Sequence, residues 1–550
     1  MTPSRARLLI LASFCAIWGA ASASTWSTGT WSTRTLGTQS TRSTENTQFD
    51  LVIRGGLVVD GTGTAGRQAD IGIREGRIAA IGRVNASAAR DTIDAAGLVV
   101  APGFIDVHTH ADDLADHPLA ENFIRMGVTS IVAGNCGSSS LDIGEALARV
   151  RLVGASVNFA TLIGHNTVRF AVLASERRPP TTVELAKMRS LVWKAMADGA
   201  VGFSTGLQYV PGTYAEAPEI IELAKVAGSA GGIYASHMRN EGTAVEEAVN
   251  ETIRVGEGSL CRVQISHLKV DAPSRWGASA RALIMIDEAR KRGVDVRADQ
   301  YAYTAASSNL GIRFPAWVLE GGAEKIRQRL QDDSTWRKVR AEMKQLLADR
   351  GLSDLSFATI ASHAADPSLN GLTIKQAAAR TKGRDDLDAQ LDQARDMLIA
   401  GNATMVYHFM SDDDVDRIMR HPEVVIASDS SVLTPGDGVP HPRGYGNNVR
   451  VLGRYVRERK LLKLEEAIRK MTSLPASHFR LGRRGVIREG WAADLVLFDP
   501  ARVGETATFE HPHAYAAGVP YVVVNGVTVV KRGEHTGAKP GQVLMLAPSL

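Results

Sequence analysis

Three cysteines in 550 residues are too few for a disulfide framework. One of them, Cys15, lies in a leader-like segment, so a mature chain would keep only Cys136 and Cys261. A membrane-length apolar run is missing at the amino terminus as well: Leu8 to Ile17 is shorter than the roughly 20 residues that span a bilayer. Preceded by Arg5 and Arg7 and followed by Ala21-Ser22-Ala23, that stretch reads instead as a secretory signal over residues 1–23. The expected product is exported, periplasmic or secreted, with no membrane segment in its mature form. An excess of one charge is likewise absent: 63 Lys and Arg stand against 59 Asp and Glu, and no basic run carries interleaved aromatics. Nucleic acid is therefore not an expected partner. With 44% hydrophobic and 22% charged residues, the chain is not disordered and can bury a sizeable core.

Residues 24–48 are dominated by Ser and Thr, with Trp-Ser-Thr repeats at Trp26 and Trp31, and read as a linker. Short β segments follow over 49–100, at Leu51 to Ile53, Leu57 to Val59, Ile71 to Ile73 and Ile78 to Ile81, with Gly55-Gly56 and Glu75-Gly76 as turns. The same texture returns over 485–550, in Leu495 to Phe498, Tyr521 to Val524 and Val527 to Val530, with Asn525-Gly526 as a hairpin turn. Both chain ends are thus expected to pair into one small β-sandwich. Between them, over 101–484, apolar β-rich runs alternate with helical stretches, which is the pattern of parallel strands covered on both faces. Eight runs stand out, at Phe104 to Val107, Ser130 to Ala133, Phe159 to Ile163, Ala200 to Ser204, Ile233 to Ser236, Val263 to Ser266, Val294 to Ala298 and Val424 to Ala427. They fit an α/β fold of the (β/α)8 TIM-barrel type. The stretch between the last two runs is too long for a loop; an insertion is expected at about 305–405, helical from Trp317 to Arg350 and in position to cover the barrel mouth.

Side chains suited to zinc fall repeatedly at strand ends, where a barrel converges its site. His108 and His110 end the first run, and alternation points both toward one place. Cys136 follows the second run in Gly134-Asn135-Cys136-Gly137; His237 ends the fifth, His267 the sixth, and Asp429 the eighth in Ala427-Ser428-Asp429. Taken singly, a His-Thr-His, a buried Cys or an Asp in a Ser-rich stretch is ordinary packing or capping. Together at one pole they read as a metal site, and imidazole with thiolate favours zinc over magnesium or calcium. Asp429 is the candidate general base and acid. His165 ends the third run and is a candidate either for supporting the ligands from behind or for contact with the substrate. His117, His363, His421, His478, His511, His513 and His535 sit in polar contexts and read as solvated, His408 and His441 stay undecided, and Cys261 reads as structural.

The run from Pro102 to His110 resembles the first-strand motif of the amidohydrolase superfamily. Gly134 to Gly137, Ser236 to Glu241, Ile265 to Lys269, His441 to Gly446, and the stretch from Glu489-Gly490 through Asp494-Leu495-Val496 resemble its D-aminoacylase branch. The resemblance covers residues 49 to about 545. It implies a metal-dependent hydrolase of linear amides that acts on small N-acyl-D-amino acids. It also implies a tight zinc held by Cys136, His237 and His267, and a second, weaker position among His108, His110 and Asp429. A substrate α-carboxylate would be held by Lys269, by Tyr301 or Tyr303, and by Arg443. Relatives that prefer acidic D-amino acids look to carry an Arg near Arg313, so acidic side chains are an expectation. Three other readings stay open: a dipeptidase for peptides with a C-terminal D-residue, a cyclic-amide hydrolase, and a non-catalytic zinc scaffold. The scaffold is disfavoured because structural zinc sites are closed by four protein ligands.

Overall fold

The computed structural model describes residues 48–85, 87 and 89–546, so the expected signal and nearly all of the Ser/Thr-rich linker lie outside the described residues. The centre is built from eight parallel strands. They are β1 (Phe104–Asp106), β2 (Val128–Ala133), β3 (Asn158–Thr161, continued by Ile163–Gly164), β4 (Gly202–Gly206), β5 (Ile233–His237), β6 (Arg262–Ile265), β7 (Val296–Gln300) and β8 (Val424–Ile426). Neighbours pair in chain order, β1 to β2 to β3 and then onward to β8. The ring closes where Thr109 bridges Ser430, with the His110 amide donating to Ser430 O at 2.9 Å and the Asp429 amide to His108 O at 2.9 Å. All eight expected runs are barrel strands.

Covering on both faces explains their composition: β2 and β5 are buried at every position, so neither shows polar alternation. The surrounding helices follow local rules. The helix Thr182–Asp198 starts on a capping box between Thr181 and Glu184, stops at Gly199 with φ 117°, and buries Met188, Val192, Ala195 and Met196 at helical spacing.

The chain ends pair with each other as expected, but within one continuous sheet and not as the two sheets of a sandwich. Strand Val99–Pro102 pairs antiparallel with Leu495–Phe498, joining both ends in one nine-stranded sheet. This sheet encloses its own apolar cluster, which includes Leu51, Ile53, Ile71, Ile73, Leu495 and Leu497. Asn525 and Gly526, at φ 47° and 79°, make the anticipated hairpin turn, as do Glu75 and Gly76 at 51° and 74°. Gly55-Gly56 is a correction. It is a bulge inside one continuous strand, Phe49–Val58, where the register shifts between Ile53 and Gly56. A Cβ on Gly56 would lie 2.4 Å from Val100 Cγ2, so glycine is required there by close approach and not by a reversal.

Between β7 and β8 the insertion is more mixed than expected. Helices Gly322–Gln331 and Asp333–Asp349 occupy the anticipated helical stretch, and Ile374–Lys382 and Leu387–Ala400 add to them. They accompany a three-stranded antiparallel sheet, Ala305–Asn309 beside Thr404–His408 beside Ala358–Ser362. Two of those strands, Ala305–Asn309 and Ala358–Ser362, carry mostly small residues with little alternation, which hid the sheet in the sequence.

Candidate metal centre

The carboxyl ends of the barrel strands bring the candidate ligands together in the way their spacing suggested. His108 Nε2 lies 3.3 Å from Cys136 Sγ and 3.4 Å from Asp429 Oδ1, and Cys136 Sγ lies 3.6 Å from His267 Nε2. Tetrahedral zinc bonds of about 2.0–2.3 Å place ligand atoms about 3.3–3.7 Å apart, so these separations suit one ion. His110 Nε2 is 3.1 Å from Asp429 Oδ1. The tight group therefore draws from both of the expected sets. His108, Cys136, His267 and Asp429 have ligand atoms within 4.8 Å of one another, while His237 groups with Glu241 and His267. His237 is buried with neither ring nitrogen hydrogen-bonded, an orphaned donor set that fits a cation beside it.

The backbone is bent to make this possible. Cys136, His267 and Asp429 have φ of 52°, 35° and 53°, a region that costs a non-glycine residue roughly 1–3 kcal/mol and that clusters at functional sites. Around Cys136, a Cβ on Gly134 would sit 2.2 Å from Leu162 O and one on Gly137 2.4 Å from Asn166 Oδ1. Asn135 pins the same turn by donating from Nδ2 to Val132 O at 2.9 Å and Val107 O at 3.2 Å.

Electrostatics favour a bound cation. Burial alone would push the Cys136 thiol up, but the neighbouring imidazoles, His108 foremost, outweigh it and hold the thiol well below its ordinary value. Burial likewise opposes ionisation of Asp429; Arg443, then His108 and His267, keep its carboxyl well below the usual range. His108 shows the mirror image: burial disfavours its charge, yet Asp299, Cys136 and Asp429 raise it well above the ordinary imidazole value. Without an ion, protons on imidazole balance the thiolate and carboxylate, and binding would release them.

A cavity of about 430 Å³ opens over this cluster. Its wall includes Lys269, Tyr301, Arg443 and Arg313, together with Tyr209 and His441. The guanidinium of Arg443 forms an ion pair with Asp429 Oδ2 at 2.9 Å and lies 4.7 Å over the Tyr301 ring. The ammonium of Lys269 lies 2.7 Å from both Glu241 Oε1 and His267 Nδ1. Arg313, buried against the Tyr407 ring at 4.3 Å, has an Nε without a hydrogen-bond partner. Strands Ala305–Asn309 and Ala358–Ser362 of the insertion contribute to the same wall, so the insertion covers the mouth.

Two expected substrate contacts fall elsewhere. Tyr303 has the opposite phase to Tyr301; it is buried under Arg450, whose guanidinium lies 4.5 Å over its ring, and it does not line the cavity. His165 opens the helix His165–Leu173 and is buried in a pair with Glu219 at 2.9 Å, behind the Cys136 turn. Among the histidines read as solvated, His363 and His478 are buried. His478 Nε2 donates to Val263 O in barrel strand β6 at 3.0 Å. His441 is a cavity residue whose Nδ1 accepts from the Arg443 amide at 3.0 Å, and His408 is exposed. Cys261 is buried away from the site, against Ala224 O at 3.1 Å.

Sequence reasoning missed the residues that hold the ligands. Asp299 Oδ1 sits 3.1 Å from His108 Nδ1 and accepts the His267 amide at 2.7 Å, fixing ligands from two strands. Asp106 accepts the amides of His108 at 3.2 Å and Ser428 at 3.1 Å. Tyr209 places its ring 4.7 Å from His237 and its hydroxyl 3.0 Å from Ser308 Oγ. The available signal was faint: Asp299 lies in Val296–Gln300, a strand of mixed Val-Arg-Ala-Asp-Gln sequence whose burial the sequence does not announce.

Known amidohydrolases resemble this chain along most of its length. The sequence model of the Amidohydrolase family matches residues 91–530. The D-aminoacylase of Alcaligenes xylosoxydans xylosoxydans is 38% identical over 525 residues, covering 91% of this chain and 98% of that protein. An N-acyl-D-glutamate deacylase of the same organism is 38% identical, covering 90% and 96%. The crystal structure of N-acyl-D-glutamate deacylase from Bordetella bronchiseptica, complexed with zinc and a phosphonate mimic of the tetrahedral intermediate, superposes with a TM-score of 0.78. It is 36% identical, over 90% of this chain and 99% of that one.

Proposed function

This chain belongs to the amidohydrolase family, and from that premise we propose that it is a zinc-dependent N-acyl-D-amino-acid deacylase. It cleaves the amide to release a carboxylate and a D-amino acid, and substrates with acidic side chains are among those it accepts. The observation that carries this reading is a cationic clamp, Arg443 with Lys269, in the wall of the cavity above an imidazole, thiolate and carboxylate cluster. A free α-carboxylate is what such a clamp holds, and a fork-shaped guanidinium binds it with two parallel hydrogen bonds. The preference for the D-configuration comes from the relatives at 38% identity.

Zinc held by Cys136, His108, His267 and Asp429, with His237 and His110 beside them, would supply a Lewis acid that polarises the scissile carbonyl and acidifies a water. The rest is the work of the side chains. Asp429 accepts the proton of the attacking water at a carboxylate oxygen and returns it to the departing amine. Its ion pair with Arg443 keeps it ionised until then. Arg443, backed by the Tyr301 ring, and Lys269, held by Glu241, orient the α-carboxylate. Arg313 offers a buried cation to an acidic side chain. The insertion walls the cavity and limits access of bulk water. Arg5, Arg7, the apolar run after them and Ala21-Ser22-Ala23 support export of the mature enzyme.

Hydrolysis should be followed for N-acetyl-D-leucine and N-acetyl-D-glutamate, their L-enantiomers, a dipeptide ending in a D-residue and a hydantoin. Cleavage of the two D-substrates above all others supports the reading. Turnover of the hydantoin alone, which has no α-carboxylate, would replace it with a cyclic-amide activity.

A further inference from the structure

Residues 267, 269 and 271 follow β6 at two-residue spacing, and all three line the cavity. His267 belongs to the metal cluster and Lys269 to the carboxylate clamp, which leaves Asp271 without a part. Its surroundings are specific. Arg350, which ends the insertion helix Asp333–Asp349, donates from one guanidinium nitrogen to Asp271 Oδ1 at 2.7 Å and to Asp271 O at 3.3 Å. The contact is reinforced in return: the Ser274 amide donates to Arg350 O at 3.0 Å, and Ser274 Oγ to Asp349 O at 2.8 Å. The second oxygen of Asp271 faces Arg313, 3.9 Å from its guanidinium, too far for a hydrogen bond and near enough for a strong charge interaction.

The geometry points to Asp271 as a specificity-determining residue whose charge, divided between Arg350 and Arg313, sets how strongly Arg313 attracts an anionic substrate side chain. This rests on the deacylase reading above. Asp271 is buried, so its charge acts across a poorly screened space. It repels an incoming carboxylate and competes for Arg313. Arg350 limits that competition by holding the carboxylate on its far side, through the insertion. The two residues therefore work in opposite senses on the same preference.

The test is the ratio of kcat/KM for N-acetyl-D-glutamate to that for N-acetyl-D-glutamine, near-isosteric substrates that differ in side-chain charge, measured on the zinc-loaded full enzyme. Asp271→Asn removes the charge and keeps an oxygen for Arg350. The ratio is expected to rise at least about tenfold, mostly through KM for the glutamate substrate. Arg350→Met frees Asp271 to pair with Arg313, and the ratio should fall by a similar factor. Combining the two should bring it back above wild type. Equal ratios in wild type and both variants, or changes in the same direction, would overturn the assignment while leaving the deacylase reading standing. Failure of wild type to cleave either D-substrate would remove both. If Asp271→Asn does not fold, the direction of the Arg350→Met change decides alone.

Discussion

Replacing Arg443 by Met removes the guanidinium charge above the metal cluster and keeps an unbranched side chain. In the structure this guanidinium pairs with Asp429 at 2.9 Å, lies 4.7 Å over Tyr301 and is buried. Two charge-assisted hydrogen bonds to a substrate carboxylate are each worth about 1.5–3 kcal/mol net, so a loss of at least about 3 kcal/mol is expected, roughly 100-fold in kcat/KM. A second effect follows from Asp429. Burial raises its pKa, and the nearby Arg443 charge is the largest influence that lowers it. Without Arg443 the folded-state pKa of Asp429 rises. Since the carboxylate form is the active base, the acid limb of the pH profile should move to higher pH. Steady-state kinetics from pH 5 to 9 read both effects. Arg443→Lys restores charge but not the two-point grip, so it should recover only part of the loss. A uniform fall in kcat with KM and the acid limb unchanged would refute the reasoning, because it would assign Arg443 a role in neither carboxylate binding nor the ionisation of Asp429.

Other outcomes follow from single contacts. Asp299→Asn should weaken zinc binding by about 10–100-fold, measured by competition with a chelating dye, because the carboxylate fixes His108 Nδ1 and the His267 amide. Asp429→Asn should fold and lower kcat by at least about 100-fold in the same assay of N-acetyl-D-leucine. Lys470 is buried between backbone carbonyls of His421 and Val424, and burial pushes its pKa down to about 7. The unfolded lysine stays protonated to about pH 10, so stability should rise from pH 7 toward 10, by up to about 4 kcal/mol, as only the folded form loses its proton. Lys470→Met should flatten that rise in chemical denaturation; a slope that persists in the variant would assign it to other groups.

The barrel was legible because most of its short parallel strands fall in β-rich apolar segments, largely buried, at a regular alternation with helices, and because ligand-type residues recur at their carboxyl ends. The insertion was legible as a gap in that rhythm, but its sheet was not, since Ala305–Asn309 and Ala358–Ser362 carry no strong alternation. Local turn chemistry identified Asn525-Gly526, yet the same rule misplaced a turn at Gly55-Gly56, where the decisive contact is with Val100, far along the chain. For the site, spacing found the ligands and could not group them. Which histidine meets Cys136 depends on how far each side chain reaches beyond its strand. Tyr301 and Tyr303 show the same limit: alternation says that only one faces the cavity, and only the register of β7 says which. The supporting carboxylates Asp299, Glu241 and Asp271 act through contacts distant in sequence, some across strands and some across the insertion.

The most direct test of the central claim is a zinc titration of chelator-stripped enzyme, following hydrolysis of N-acetyl-D-leucine and N-acetyl-L-leucine in parallel. D-substrate cleavage is expected to return in step with the first zinc bound while the L-substrate stays uncleaved, and Cys136→Ser is expected to blunt the recovery. Full D-substrate cleavage by protein shown to be free of metal, or equal rates on the two enantiomers, would contradict that claim.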